Sequence, residues 1–252
     1  MRLTIDTYSQ QSSAVHRWAP AAKLVGLITL IFGFAAVRQL WLVPYMIGTT
    51  AGLYALSRLP LSFLRSRLRY PGLFLVGVVV ALPLFSGETV LWQWGLLSLR
   101  QEGLLTMLLV AGRFLSILTV GIVLLGTTPF LTLIKAMQSL GLPSILADMT
   151  LLAYRYLFDI ASQLSQMRQA MRLRGFYSRR ANWQQIAAVM GTLLIRSYEQ
   201  SERVYKAMRL RGYGTRELQT DQAALWGTTG DRLGLALCAA IALSIVIVQW
   251  LH

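Results

Sequence analysis

The six residues Ala-Met-Arg-Leu-Arg-Gly occur twice in this chain, at residues 170–175 and 207–212, and the copies lie 37 residues apart. Each copy is followed by an aromatic, Phe176 or Tyr213. Gly175 and Gly212 are residue types that take a left-handed conformation at no steric cost, as the first residue past a helix must. Arg174 and Arg211 then fall in the last turn, where a cation meets the negative end of the helix dipole. A guanidinium there can reach past the tip and offer five donors to a partner's carboxylates or carbonyls. Ala170 and Ala207, one turn back, leave room for close approach, while Arg172 and Arg209 project from another side. A single Arg-Gly is an ordinary helix stop. Two helices with identical final turns point instead to two matched plugs for two matched sockets.

Other chemistry is missing. The chain has no Gly-x-x-x-x-Gly-Lys-Ser/Thr stretch to cradle a phosphate. Its two histidines, His16 and His252, and its one cysteine, Cys238, lie far apart in sequence. A transition-metal site needs clustered ligands, so no metal site and no cofactor are expected. No nucleophile–base pair stands out, and the chain reads as a non-enzyme. Cys238 lies in an apolar block, where a packed thiol is expected, and it has no intrachain partner for a disulfide.

The elements that carry these tips belong to a membrane protein. Of 252 residues, 55% are hydrophobic and only 13% charged, against about a quarter charged in soluble domains. Apolar blocks at residues 21–37, 40–56, 71–86, 104–126 and 233–250 are read as five transmembrane helices. Trp41, Trp92, Trp94, Trp226 and Trp250 stand near their ends, where indoles favour the interface. The first block follows a polar lead without a clear cleavage site, so it is expected to remain as an anchor.

The net charge of +14 is unevenly spread. Arg2, Arg17 and Lys23 precede or open the first span; Arg58, Arg65, Arg67 and Arg69 fill a loop over residues 57–70. Residues 127–232 hold 14 of 24 basic and 7 of 10 acidic residues. Five spans put all three clusters on one side, which the positive-inside rule makes cytoplasmic. The expected organisation is a four-span domain over residues 1–126, a cytoplasmic coupling-helix domain over 127–232 and a last span over 233–252, with the N-terminus on the cytoplasmic side of a cell inner (plasma) membrane.

Within the polar stretch, Thr128 is a candidate N-cap for a short helix over residues 129–140, closed by Gly141. A long helix follows over residues 144–174, with apolar positions Leu151, Tyr154, Phe158, Ala161, Leu164 and Met171. Its apolar first half could lie in the interface or in lipid. Asn182 can cap a third helix over residues 183–211, with the line Ile186, Val189, Leu193, Tyr198, Val204 and Leu210. Gly103, Gly112, Gly121 and Gly126 suit close helix packing in the fourth span. Arg113 is the unusual charge inside a span. It can pair with Glu102, meet a loop carbonyl, snorkel to an interface, or contact a partner.

These residues resemble the transmembrane (T) component of energy-coupling factor transporters, in particular the CbiQ type of cobalt and nickel importers. That family carries two Ala-Arg-Gly-like signatures at the ends of two cytoplasmic coupling helices; here they stand as Leu173-Arg174-Gly175 and Leu210-Arg211-Gly212. The opening at residues 12–23 is similar to the family's, with Ala19 in place of a common Asp before Pro20 and Lys23. Residues 124–129 and 141–143 are similar to further landmarks, so the resemblance runs along nearly the whole chain.

The resemblance implies an all-α, non-enzymatic coupling subunit of an ATP-driven importer. Its partners would be two cytoplasmic ATP-binding cassette ATPases and a membrane substrate-binding (S) component. Ala170, Arg172, Arg174, Gly175, Ala207, Arg209, Arg211 and Gly212 would form the ATPase-coupling tips. The CbiQ type implies cobalt or nickel as cargo bound on another subunit, and a vitamin is also compatible, because a T component need not touch the substrate. A self-sufficient carrier or channel would need polar groups converging within the spans, where only Arg113 is available. A nucleic-acid binder would want a denser basic patch than residues 127–232 provide.

Overall fold

The structure is a computed structural model that describes residues 13–85, 90–94, 97–175, 183–213, 226–227 and 229–251. It is built almost wholly of helices. In chain order these are α1 (Ala14–Arg17), α2 (Pro20–Ala36), a 3₁₀ turn (Leu40–Leu42), α3 (Val43–Ser57), α4 (Leu61–Phe85), α5 (Gln101–Thr127), α6 (Phe130–Ser139), α7 (Ser144–Leu173), α8 (Trp183–Leu210) and α9 (Thr229–Leu251). Between α4 and α5 a small antiparallel hairpin, β1 (Val90–Trp94) and β2 (Leu97–Arg100), occupies what the sequence reads as a loop. Alternation over so few residues is a weak sequence signal.

Among the described residues, Gly103–Thr127 and Gly230–Trp250 are long and apolar enough to cross a membrane. Pro20–Ala36 is apolar but only 17 residues, about 25 Å at the helical rise. One expected boundary is wrong. Residues 57–70 are not all loop: α4 begins at Leu61, so Arg65, Arg67 and Arg69 ride on the helix that carries the third apolar block. Long basic side chains tolerate helix well, and Arg67 lies over the Phe63 ring at 5.4 Å.

The chain forms two compact units, one of Gly141–Thr220 and one of Thr4–Leu140 with Asp221–His252. In the second unit, α2 packs on α9, α5 and α6, and α5 packs on α3 and α4. Leu27, Leu30, Phe34, Val37, Met46, Val120 and Ile245 form its buried centre. Small residues set the helix spacing. A Cβ on Gly33 would lie 2.9 Å from Ala242 Cβ, and one on Gly112 would lie 2.6 Å from Val43 Cγ1. Gly126 meets Leu59 and Phe63, whereas Gly121 faces open space and makes no close approach. Spacing alone does not say which face of a helix meets a neighbour.

The ends of α2 are tied by side chains from elsewhere. Pro20 opens the helix, and the Ala19 N–H donates to Asp231 Oδ1 at 3.1 Å. At the other end Arg113 Nη2 donates to the Val37 carbonyl. Of the alternatives for Arg113, the structure therefore has the loop carbonyl. Val37 is fully buried, and a carbonyl at a buried helix end needs a donor, which the arginine supplies.

Replacing Gly33 with Val should lower stability by roughly 1–3 kcal/mol, because the Ala242 backbone cannot yield. Gly121→Ala should be neutral or stabilising by about 0.5–1 kcal/mol. Thermal unfolding of the purified variants in one detergent distinguishes the two sites; equal effects would remove the close α2–α9 approach as a constraint.

Candidate functional site

Both repeated hexapeptides end helices, and the two ends close alike. Arg174 N–H donates to the Ala170 carbonyl at 3.1 Å and Gly175 N–H to the Arg172 carbonyl at 3.1 Å. The matching bonds are Arg211 to Ala207 at 3.2 Å and Gly212 to Arg209 at 3.0 Å. Gly175 has φ +81° and Gly212 φ +73°, the left-handed values read from the sequence. At the second tip Tyr213 N–H also reaches the Met208 carbonyl at 3.0 Å, which completes a Schellman closure. Phe176, its counterpart, and the Asn182 cap lie outside the described residues.

Exposure repeats as well. Met171 and Met208 are half-buried, while Ala170, Arg172, Arg174, Ala207, Arg209 and Arg211 are exposed. Leu173 and Leu210 are 83% and 90% exposed. An apolar side chain presented between two arginines at a helix tip is unsatisfied in water. Their exposure makes these leucines part of each tip.

Position sets the tips apart in space. Tyr213 Oη, just past the end of α8, donates to Asp148 Oδ2 near the start of α7 at 2.6 Å. The helices therefore run in opposite directions. The 26 residues from Asp148 to Arg174 put the tips on the order of 40 Å apart at 1.5 Å per residue. Between α7 and α8 lies an apolar cleft of about 640 Å³, lined among others by Met149, Tyr156, Val204 and Tyr205.

The expected apolar line of α7 is inward or half-buried throughout. On α8 the line is displaced. Ile186, Tyr198 and Leu210 point outward, and the inward positions include Val189, Leu193, Ser197, Gln200, Val204 and Met208. A search for apolar residues alone passes over Ser197 and Gln200, which the 3.6-residue period includes.

The tips are not identical beyond the hexapeptide. Arg209 lies over the Tyr205 ring at 5.8 Å, and the position matching Tyr205 in the first copy is Arg168. Exposed pairs Arg203–Glu199 and Lys206–Glu202 at 3.8 and 3.6 Å flank the second tip and add little energy. Among the described residues no group of three His, Cys, Asp or Glu is placed to hold a metal ion.

The Tyr213–Asp148 bond holds the phenol in its protonated form, and its pKa lies above the usual 10.0 because of that bond first, with burial and the carboxylate's charge adding to it. A raised value means that the bond contributes below pH 10 and is lost as pH climbs through the folded value. Carbon-13 titration of labelled tyrosine should find Tyr213 above the ordinary range and returned toward it by Asp148→Ala; no movement would exclude the bond.

The sequence patterns of known families agree with this arrangement. The family described as CbiQ, cobalt transport protein, matches residues 11–221. The chain is 27% identical to the energy-coupling factor transporter transmembrane protein EcfT of Limosilactobacillus fermentum, over 96% of this chain and 95% of that one. It is 28% identical to the nickel permease LarQ of Lactiplantibacillus plantarum, over 95% and 82%. It is also 28% identical to EcfT of Lacticaseibacillus paracasei, over 84% and 85%. A match over most of the length, across both the apolar helices and the paired tips, establishes that this chain belongs to the CbiQ cobalt transport protein family.

Proposed function

We propose that this chain is the non-enzymatic coupling subunit of an ATP-driven energy-coupling factor importer, with cobalt or nickel as cargo. The observation that carries this reading is the pair of helix ends, closed by matching bonds at Arg174–Gly175 and Arg211–Gly212, on opposite ends of one antiparallel pair. Each tip presents a leucine between two arginines. It would seat in a socket with an apolar floor and acidic rim on one ATPase subunit, two such subunits taking two tips. Arg174 and Arg211 would bind, Gly175 and Gly212 would shape the tips, and Ala170 and Ala207 would admit the socket wall. Arg172 and Arg209 would add charge.

The relatives named as transporter transmembrane proteins and as a nickel permease support the assignment. The cargo ion would be held by a substrate-binding membrane partner, since the described residues of this chain offer no ligand cluster. The apolar faces of α7 and α8 would carry the contact to that partner. The starts of α2 and α9 and the end of α5 share one end of the second unit. That arrangement is what five spans with a cytoplasmic N-terminus in an inner membrane require. The three-part organisation over residues 1–126, 127–232 and 233–252 follows from the same topology.

Affinity purification from native membranes, wild type beside Arg174→Glu/Arg211→Glu, tests the reading. The wild type should bring down ATPase subunits and a small membrane protein. The double variant should insert normally and recover about ten-fold less ATPase or lower, as expected for reversing a buried interfacial charge. Equal recovery from both would remove the arginines from the mechanism. No ATPase with either would favour a self-sufficient carrier.

A further inference from the structure

Among the described residues, one of the largest fully buried side chains is a lysine. Lys23, the fourth residue of α2, is 1% exposed. Burying an ammonium costs several kcal/mol unless it is well paired, and a methionine would fill the same space at no such cost. The charge is therefore kept for what it reaches. Lys23 Nζ donates to Thr128 Oγ1 at 3.2 Å and points to the Thr127 carbonyl at 3.5 Å. Thr127 is the last residue of α5, so the ammonium sits at the negative end of that helix's dipole.

A second charge lies at the same end of α2. Asp231, in the first turn of α9, accepts from Ala19 N–H at 3.1 Å and its carboxylate acts electrostatically on Lys23. Its carbonyl accepts from Trp18 Nε1 at 3.0 Å. The carboxylate thus lies at the positive ends of two helices, α2 and α9. Thr127–Thr128 is where the chain leaves the apolar helices toward α7 and α8, and Asp231 is where it returns. Both roots of the intervening segment are tied to the first turns of α2 by one lysine, one aspartate and one indole.

We infer that Lys23 and Asp231 are positioning residues that lock both roots of the α6–α8 segment to α2, so that force on the segment moves α2 rather than bending the chain at Thr127–Pro129. Without the lock, Thr128 and Pro129 form a turn with no side-chain cap on α6, a natural place for motion to dissipate. The inference rests on the coupling role proposed above, because it needs a partner that pulls on the segment. It assigns to Lys23 a task that neither tip contains.

The test uses the complex purified with its ATPases. Spin labels replace the exposed Arg17 and Lys135, on α1 and α6, in a Cys238→Ala background, and distances are read without nucleotide and with a non-hydrolysable ATP analogue. In wild type the distance should be narrow and unchanged between states. In Lys23→Met and in Asp231→Asn it should be narrow without nucleotide but shift or broaden with the analogue. ATPase recovery and basal hydrolysis should stay within about two-fold of wild type, well under the scale of typical site-to-site coupling, so that the distance change on adding the analogue appears in the variants alone. Lys23→Arg should behave as wild type.

Variants that match wild type in both states overturn the lock. Variants already broad without nucleotide, with ATPases lost, reduce Lys23 to a stabilising residue and overturn it equally. A wild type that carries no ATPase sinks the coupling role instead, and the nucleotide-free distances then report on the tie alone.

Discussion

A helix in apolar surroundings must find partners for its end groups inside the protein, because lipid offers none. The rest of this structure follows from how α2 meets that demand. It is only 17 residues long, and both its ends are completed by distant side chains. Asp231 arrives from α9 to take the Ala19 N–H, and Arg113 arrives from α5 to serve the Val37 carbonyl. Those contacts fix α5 and α9 against α2, and close packing at Gly33 and Ala242 does the remainder. A charged residue within an apolar helix, which looks like a binding determinant in isolation, is here the completion of a neighbour's backbone.

Charge is also spent at the C-terminal end of α5. Lys23 occupies a buried site where an apolar side chain would pack more cheaply, and Thr128 uses its hydroxyl there. That explains why Thr128 does not cap α6, contrary to its sequence neighbourhood: Pro129 holds the cap position and Thr128 has another partner. A local rule broken at one residue marks a long-range interaction that outweighs it. The departure at Ala19 from the family's opening has a related setting, since a carboxylate reaches that helix start from residue 231 instead.

The paired helices α7 and α8 have another logic. Their few mutual contacts leave an apolar cleft, outward leucines and identical arginine tips. Such helices are costly alone, since exposed apolar surface is unfavourable in water and large patches mark interaction surfaces. Their length rather than their chemistry separates the tips. The Tyr213–Asp148 bond joins the end of α8 to the start of α7, so the two copies of one peptide lie on opposite ends of the pair.

Local chemistry was legible directly. Glycine past an arginine predicts a left-handed helix stop, and both stops stand at Gly175 and Gly212 because that geometry involves only neighbouring residues. Apolar blocks likewise announced α2, α3, α5 and α9 from length and composition. What the sequence could not contain were pairings across long separations: Lys23 with Thr128 over 105 residues, Ala19 with Asp231 over 212, Arg113 with Val37 over 76. Nor could it say which glycines face a neighbour, or that Ser197 and Gln200 lie on the inner line of α8. Helix ends and apolar runs are decided within a turn or two of chain, so the sequence by itself determined them. Which helix serves another's unsatisfied ends is decided by proximity in three dimensions, and only the tertiary structure supplies that.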